Sequence, residues 1–390
     1  MPRKRSPEKD IEIIATAYLA AQGKRNKQIS EELDISEVAV ARNLIEARQK
    51  YLRTELTFLR KRVGPAMMRK VEQRLTHKPL LEKLNKLAEH KQHACKLTLR
   101  VFCCGHCKDD RARMEKLGEI AAPLVRTLLR RSASCGLTWG GMLEAVVAAL
   151  SALPYPKPWT GEPIEFIPLS GEPLGRERRR YSSSSLAREL GAAVNGPTYE
   201  APSLAMVPAF IPDGFEAEER AGVRKLIELV KDYLDIFGHY QGANPSSRRA
   251  RRAIPKAEEL DMILTSVGSS DRPLGFGRGV LFEKMSVHYH DLSAMLAAEV
   301  GGVCIPHDNL TRVQDEQLDI VRESWTGLRI EHLQKCAQRG VDPLTGPPGV
   351  VVVSGGTKRA TAIRELVSQG LINYLIIDEV LAAELEATLP

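Results

Sequence analysis

Two pairs of adjacent glycines each lie between an apolar run and a helical pattern, a placement typical of anion-binding turns. Gly140 and Gly141 precede "MLEAVVAAL", and Gly355 and Gly356 lie between "VVVVS" and the basic "TKR". Glycine permits a tight turn, and the N–H groups that follow at a helix N-terminus attract negative charge. Either pair alone is a weak signal, because such a turn needs glycine for steric reasons. Together with the cations they predict a site for a small phosphorylated molecule. The candidate effector-binding residues are Trp139, Gly140, Gly141, Met142, Gly355, Gly356, Lys358 and Arg359.

A thiol-rich stretch, "FCCGHC", raises the question of metal binding. Cys104 and Cys107 have the two-residue gap that is typical of half a zinc site, and Cys103 and His106 lie beside them. A closed zinc site needs four ligands, and no matching distant pair is found in the chain. An ordinary loop at a strand end is therefore the default interpretation, with metal binding and redox sensing as open alternatives. We expect no metal and no cofactor.

A third chemistry, the reading of DNA bases, is indicated by "NKQISEELDISEVAVARNLIEAR", residues 26–48. A short helical pattern is interrupted at Asp34 and Ile35, and Ser36 can cap a second helix. Two short helices joined by such a turn form the helix-turn-helix motif, although an ordinary helical hairpin would show the same pattern. We expect Val40 and Leu44 to face inward.

The side chains expected at DNA fall into two groups. Those that face the major groove and read bases are Glu37, Val38, Ala41 and Arg42. Those that contact phosphates and carry no sequence information are Lys24, Asn26, Arg48 and Lys50.

The charge distribution supports contact with a polyanion in the first part of the chain. Residues 1–134 hold 30 Lys/Arg against 16 Asp/Glu, a balance of +14, whereas residues 135–390 hold 26 against 33, a balance of −7. Solvated basic helical faces would give the same count. No apolar run is long enough to cross a bilayer, and no signal-peptide core follows the basic N-terminus. We expect a cytoplasmic protein without a membrane partner, whose cysteines are mostly free thiols.

The elements that would position these residues are helical first and mixed afterwards. "SPEKDIEIIATAYLAAQGK" predicts a helix that ends at Gly23, with Ile11, Ile14 and Tyr18 in its buried stripe. From about residue 96, short β-rich runs alternate with Gly-rich turns and helices, as in a mostly parallel sheet covered on both faces. After the last such run, Asp378 is expected to cap the final helix.

The predicted fold class is therefore α/β with three parts along the chain. Residues 1–62 are expected to form an all-α helix-turn-helix domain, residues 63–95 a helical linker, and residues 96–390 a doubly wound, mostly parallel α/β domain. The polar, Arg-rich segment 240–256 is expected to be an exposed loop, although its "RRARR" could also contact nucleic acid.

Four blocks of the second part resemble the SorC-type sugar-binding transcriptional regulators, relatives of the deoxyribonucleoside regulators. They are "GLTWGGMLEAVVAAL", "FIPLSG", "LDMILTSVG" and "VVVVSGGTKRATAIRELVSQGLINYLIIDEVLAAEL", in this order behind the helical head. The resemblance implies a bacterial operon regulator that binds double-stranded DNA and responds to a phosphorylated sugar. It also implies that residues 96–390 form an effector-binding and oligomerisation domain with the fold of sugar-phosphate isomerases but without catalysis, and that the chain assembles as a homodimer or homotetramer.

The chain departs from that family at two places. The family commonly has Gly-Gly-x-x-Lys near the C-terminus, where this chain has Arg359, with Lys358 one residue earlier; Ser269 and Ser270 stand where a further glycine is usual. An isomerase- or deaminase-like enzyme is the competing function, but the strand ends carry Ser, Gly and Thr instead of an acid–base pair. A helical interaction protein, or a regulator that has lost its effector response, is a further alternative.

Overall fold

The computed structural model describes twelve ranges of the chain. They are residues 7–21, 24–50, 77–90, 97–105, 107–153, 163–172, 182–238, 254–268, 285–287, 289–307, 310–340 and 346–389. Several sequence predictions lie outside these ranges: Gly23, the linker segment 63–76, residues 240–253 of the loop, Ser269 and Ser270, and His106. The side chains of Arg48 and Lys50 also lie outside the described residues. Contacts divide the chain into two compact units, Met1–Lys78 and Pro79–Pro390.

The first unit contains three described helices around a small apolar core: α1 (Pro7–Ala21), α2 (Asn26–Leu33) and α3 (Glu37–Lys50). The buried residues of this core are Ile11, Ile14, Ala15, Leu19, Ala20, Ile29, Leu33 and Val40. Asp34 ends α2 in the left-handed conformation, with φ at 53°, which turns the chain sharply before α3. The predicted break between the two helices is therefore present where the sequence placed it.

The second unit contains one large sheet, one small one and many helices. Its helices are α4 (Lys78–His90), α5 (Asp110–Leu129), α6 (Gly141–Ala152), α7 (Ser183–Asn195), α8 (Ala217–Leu229), α9 (Lys231–Phe237), α10 (Tyr289–Met295), α11 (Arg312–Ser324), α12 (Ile330–Arg339), α13 (Ala360–Ser368) and α14 (Glu379–Thr388), with single 3₁₀ turns at Lys256–Glu258 and Thr357–Arg359. Its strands are β1 (Thr98–Phe102), β2 (Ser134–Leu137), β3 (Glu165–Pro168), β4 (Met262–Thr265), β5 (Leu296–Val300), β6 (Val303–Pro306), β7 (Gly349–Ser354) and β8 (Tyr374–Asp378).

The large sheet has six strands in the order β1-β8-β7-β4-β2-β3, and all neighbouring pairs are parallel. β5 and β6 form a separate antiparallel pair. The chain runs outward from β2 to β3 and then returns past β2 to β4, which is how a doubly wound sheet arises. The predicted mostly parallel sheet is confirmed.

Helices cover both faces of this sheet, as the packing of β7 shows. Val350 and Val352 belong to one buried cluster together with residues of α4, α12, α13 and α14. Val351 and Val353 belong to a second cluster together with residues of α5, α6 and α7. Since successive strand residues point to opposite faces, an all-apolar run such as "VVVV" requires a core on each side.

The helix α4 corrects one expected boundary. Residues 63–95 were expected to be a linker, but Leu80, Leu84 and Ala88 of α4 are buried in a core cluster of the second unit. The Lys83 ammonium also donates to the backbone carbonyls of Glu386 and Leu389, at 3.3 and 3.1 Å. An amphipathic helix with an apolar stripe is stabilised by burying that stripe, so α4 packs as part of the α/β unit.

No helix in the described part of the chain is both long and apolar enough to span a membrane.

Candidate functional site

The carboxyl edge of the sheet brings together three loops that are far apart in the sequence. Phe102 at the end of β1 is paired with Asp378 at the end of β8, and Ser354 at the end of β7 is paired with Ile377. The loops after β1, β7 and β8 are therefore neighbours. Ligands of open parallel sheets bind outside this edge.

A cleft opens at this edge, between α5, the start of α6 and the turn after β7. Four of the eight sequence-predicted effector residues line it: Met142, Gly355, Gly356 and Arg359. The structure therefore brings the start of α6 and the second glycine turn into one concave site. The other lining residues are Asp110, Arg113, Met114 and Leu117.

The remaining predicted effector residues lie outside the lining of this cleft. Trp139 is buried and packs edge-to-face on Trp325, with ring centroids 5.0 Å apart. A Cβ atom on Gly140 would approach Ser266 Oγ at 3.4 Å, whereas one on Gly141 would approach Met114 Cε at 3.9 Å, so Gly141 borders the cleft. Lys358 is exposed on the 3₁₀ turn.

Asp378 has two structural roles at the edge of the sheet. Its carboxylate is fully buried and accepts the backbone N–H of Leu381 at 2.8 Å, which confirms its expected role as the cap of α14. It also accepts the N–H of Gly356 at 3.1 and 3.2 Å. A Cβ atom on Gly355 would lie only 2.7 Å from Asp378 Oδ2, so this turn needs glycine for close approach.

Sequence reasoning missed the contribution of α5 to the cleft. The Asp109 carboxylate caps this helix by accepting the N–H of Ala112 at 2.7 Å, and the following turns direct Arg113, Met114 and Leu117 toward the second glycine turn. The only sequence signal, "DDRARM", indicates no more than the charged start of a helix. This helix becomes part of a site because β1, which precedes it, lies beside β8, a strand about 275 residues away in the sequence.

The cysteine loop borders the same edge, and the structure describes its three cysteines. Cys103 is exposed, Cys104 buried and Cys107 half-buried. Burial, reinforced by the charges of Glu379 and Asp378, raises the pKa of Cys104 to about 12, so its thiol stays protonated at neutral pH. Within the described ranges, which leave out His106, no group of three or more His, Cys, Asp or Glu is placed to hold a metal ion.

In the first unit, α3 presents the face that the sequence assigned to DNA bases. Val40 is fully buried, whereas Glu37, Ala41 and Arg42 are exposed and the Val38 side chain is 78% exposed. The Ser36 hydroxyl accepts the N–H of Ala39 at 3.2 Å and so caps the helix.

α3 is fixed to α1 by a buried polar contact that the sequence did not reveal. Asn43 is 1% exposed, and its amide donates to Glu12 Oε1 at 2.8 Å and to Thr16 Oγ1 at 3.3 Å. Among the residues expected at phosphates, Asn26 is exposed at the start of α2, whereas Lys24 forms an ion pair with Glu32.

No protein-family model matches this chain, and no curated protein matches it in sequence. Several solved structures that align with this chain are regulators of the SorC or DeoR type. The full-length sorbitol operon regulator SorC from Klebsiella pneumoniae shares 17% identity over 97% of this chain and 99% of that one, with a TM-score of 0.48. A DeoR family regulator from Listeria monocytogenes shares 14% identity over 79% and 99%, with a TM-score of 0.48. A putative sugar-binding domain of a transcriptional repressor from Vibrio fischeri shares 13% over 80% and 96%, with a TM-score of 0.49.

Proposed function

We propose that this chain is a sequence-specific, DNA-binding transcriptional regulator of the cytoplasm. Its affinity for an operator changes when the second unit binds a small phosphorylated sugar or a similar carbohydrate. One observation carries the proposal: the same chain pairs an exposed helix after a tight turn with an α/β unit that has a cleft at its carboxyl edge. The first feature is suited to a DNA groove and the second to a small anion.

On DNA, the exposed face of α3 is proposed to enter the major groove. Arg42 suits the paired acceptors of guanine, and Glu37 suits the amino group of cytosine. Lys24, Asn26, Arg48 and Lys50 are proposed to contact phosphates on either side. The buried Asn43 supports this role indirectly, because its bonds to α1 fix the orientation in which α3 presents its exposed side chains.

In the second unit, the effector is proposed to bind at the cleft between the two glycine turns. No side chain caps the N-terminus of α6 at Gly140, so the first N–H groups of this helix can attract an anion. Arg359 from the second turn adds a positive charge beside them. Trp139 and Lys358 complete the set predicted from the sequence, as neighbours of the two turns.

A regulatory role fits the cleft better than catalysis does. An isomerase or deaminase needs a positioned carboxylate base, often with a histidine partner. The described lining of the cleft contains one carboxylate, the exposed Asp110, and no histidine to pair with it. The buried Asp378 beside this lining is held by backbone N–H groups from two turns. We therefore propose binding without turnover.

The test is selection of duplex DNA from a fragmented bacterial genome by the full chain, followed by binding assays with and without sugar phosphates. We expect a defined motif to be enriched and its affinity to change about 5- to 150-fold with one ligand, the range of a typical allosteric coupling. No enriched motif, or turnover of a sugar phosphate, would contradict the proposal.

A further inference from the structure

The guanidinium of Arg113 lies at the cleft with a donor that no described protein group accepts. Its side chain is 21% exposed, yet the Nη1 atom is buried and has no hydrogen-bond partner among the described residues. The nearest carboxylate oxygens are Asp378 Oδ2 at 3.5 Å and Glu379 Oε1 at 3.8 Å. These are ion-pair distances, longer than the usual N–H···O hydrogen bond of about 2.7–3.2 Å. Nη1 therefore faces the two carboxylates, and Arg113 lines the cleft with the rest of its side chain, which is the accessible part.

The two carboxylates near Arg113 take their hydrogen bonds from the backbone instead. Asp378 accepts the N–H groups of Gly356 and Leu381. Glu379 accepts two N–H groups of the loop after β1, at 2.8 and 3.1 Å. Both carboxylates therefore hold the arginine in place by charge without consuming its donors. Burial opposes its positive charge, but these two carboxylates outweigh burial and raise the pKa of Arg113.

Arg359 lines the same cleft from the second glycine turn. Its Nη1 atom donates to the carbonyl of Gly355 at 2.6 Å, which fixes the side chain against the second glycine turn. A guanidinium has five N–H donors, so this bond leaves others for a ligand. The backbone N–H of Gly356, by contrast, is already given to Asp378. At this side of the cleft, an anion would therefore be held by side chains rather than by the glycine backbone.

The rest of the lining indicates what the anion is attached to. Met114, Leu117 and Met142 give the cleft an apolar wall, which suits a carbon skeleton. Asp110, exposed at the first turn of α5, supplies a carboxylate that can accept a hydroxyl group.

We infer that Arg113 and Arg359 form a two-arginine clamp for the oxyanion of the effector. The ligand class is a phosphate or a carboxylate on a short, hydroxylated carbon skeleton, because a guanidinium binds either oxyanion with two parallel hydrogen bonds. This inference rests on the proposed effector response and adds a residue, Arg113, that the glycine-turn pattern does not contain.

The test measures ligand binding to the full chain by calorimetry. The probes are inorganic phosphate, glucose 6-phosphate, 6-phosphogluconate and gluconate, so that phosphate and carboxylate can be told apart. Arg113→Met should weaken the best probe roughly 10- to 100-fold, the loss expected for a charge-assisted hydrogen bond. Arg113→Lys should recover only part of this loss, because lysine keeps the charge but cannot bind bidentately. Arg359→Met should weaken the same probe by a similar factor.

Arg111→Met is the matched control on the same helix. Its side chain is 81% exposed and pairs with Glu115 at 3.0 Å, away from the cleft lining, so binding should not change. The lysine variant keeps the test valid if the methionine variant fails to fold, because it retains the charge beside Asp378.

Each result bears on one part of the scheme. If the wild type binds a probe and Arg113→Met and Arg113→Lys bind it equally well, the clamp is wrong while the proposed effector response stands. If the wild type binds none of the four probes at millimolar concentration, both the clamp and the carbohydrate response are contradicted. If gluconate binds as tightly as 6-phosphogluconate, the result would support the clamp and identify a sugar acid as its ligand.

Discussion

At the scale of single residues, the described contacts separate positions that look alike in the sequence. Gly141 and Gly355 both belong to a glycine pair after a strand. A Cβ atom at Gly355 would collide with the buried Asp378 carboxylate at 2.7 Å, whereas one at Gly141 would meet only the end of Met114 at 3.9 Å. Gly355 is therefore required for packing, whereas there is room for a Cβ atom at Gly141.

The two glycines should consequently respond differently to alanine. Gly355→Ala should lower the free energy of unfolding of the second unit by about 1–3 kcal/mol, because Asp378 is held by backbone bonds and cannot move aside cheaply. Gly141→Ala should change it by less than about 0.5 kcal/mol. Urea unfolding followed by tryptophan fluorescence measures this unit alone, since all three tryptophans lie after residue 78. Equal losses in the two variants would contradict the steric explanation.

A second prediction at this scale concerns base recognition. Arg42→Ala should reduce the ratio of operator to random-DNA affinity, by the about 1–3 kcal/mol that a good arginine–guanine contact contributes. Lys50→Ala should weaken binding to all sequences and reduce the salt dependence by about one unit of slope. Fluorescence anisotropy at several salt concentrations measures both. An unchanged affinity ratio for Arg42→Ala would mean that α3 does not contact the bases through the face proposed.

At the scale of elements, the N-terminus of α12 is stabilised by an unusual cap. His332 Nδ1 accepts the backbone N–H of Arg329 at 3.1 Å, and its ring packs against Phe237 with centroids 5.9 Å apart. Burial lowers the pKa of His332 below its ordinary value of 6.5, since the charged form is desolvated. Protonation would also replace the accepting lone pair with a donor.

This cap predicts a specific dependence of stability on pH. Because the pKa is lower in the folded state than in the unfolded one, the unfolded state binds more protons between the two values. The stabilisation is therefore complete above about pH 6.5 and is lost as the pH falls from there through the folded pKa. His332→Gln should flatten the slope of unfolding free energy over this interval, measured by urea titrations of the second unit. A variant with the wild-type slope would show that another group titrates.

At the scale of the whole molecule, the proposed function requires more than one copy of the chain. Palindromic operators read by a helix-turn-helix need at least a dimer, with half-sites a helical turn or a multiple apart. We expect light scattering to give a homodimer or homotetramer at micromolar concentration. A monomer that retains sequence-specific binding would be inconsistent with this assembly.

Regulation also has to be reciprocal between the two units. If an effector weakens operator affinity by some factor, the operator must weaken effector affinity by the same factor. Calorimetry of the best effector, with and without saturating operator duplex, should therefore reproduce the factor seen in DNA binding. Unequal factors in the two measurements would mean that the coupling is not a simple one between two sites, for example because the ligand also changes the oligomeric state.

The sequence by itself determined the helical first part and the alternation of strands and helices in the large sheet behind it. The helical spacing of apolar residues predicted α1 to α3. The alternation of β-rich runs with helices predicted a parallel sheet, and strands as apolar as β7 are typical of such sheets because both of their faces are buried. It also determined local roles that depend on near neighbours, such as the Ser36 and Asp378 caps.

Only the tertiary structure decided which of these residues meet. β1 lies beside β8, and this pairing places Arg113 next to Asp378. Arg113 and Arg359 therefore line one cleft. Trp139, which was expected at the effector site, packs on Trp325 outside the cleft lining. The boundary at α4 was settled in the same way, by burial of its apolar stripe. The cleft, the position of Trp139 and the packing of α4 share one physical reason. The sequence around a residue indicates only its exposure and its helical or extended period. Strand order and side-chain contacts across hundreds of residues follow from the packing of the whole unit.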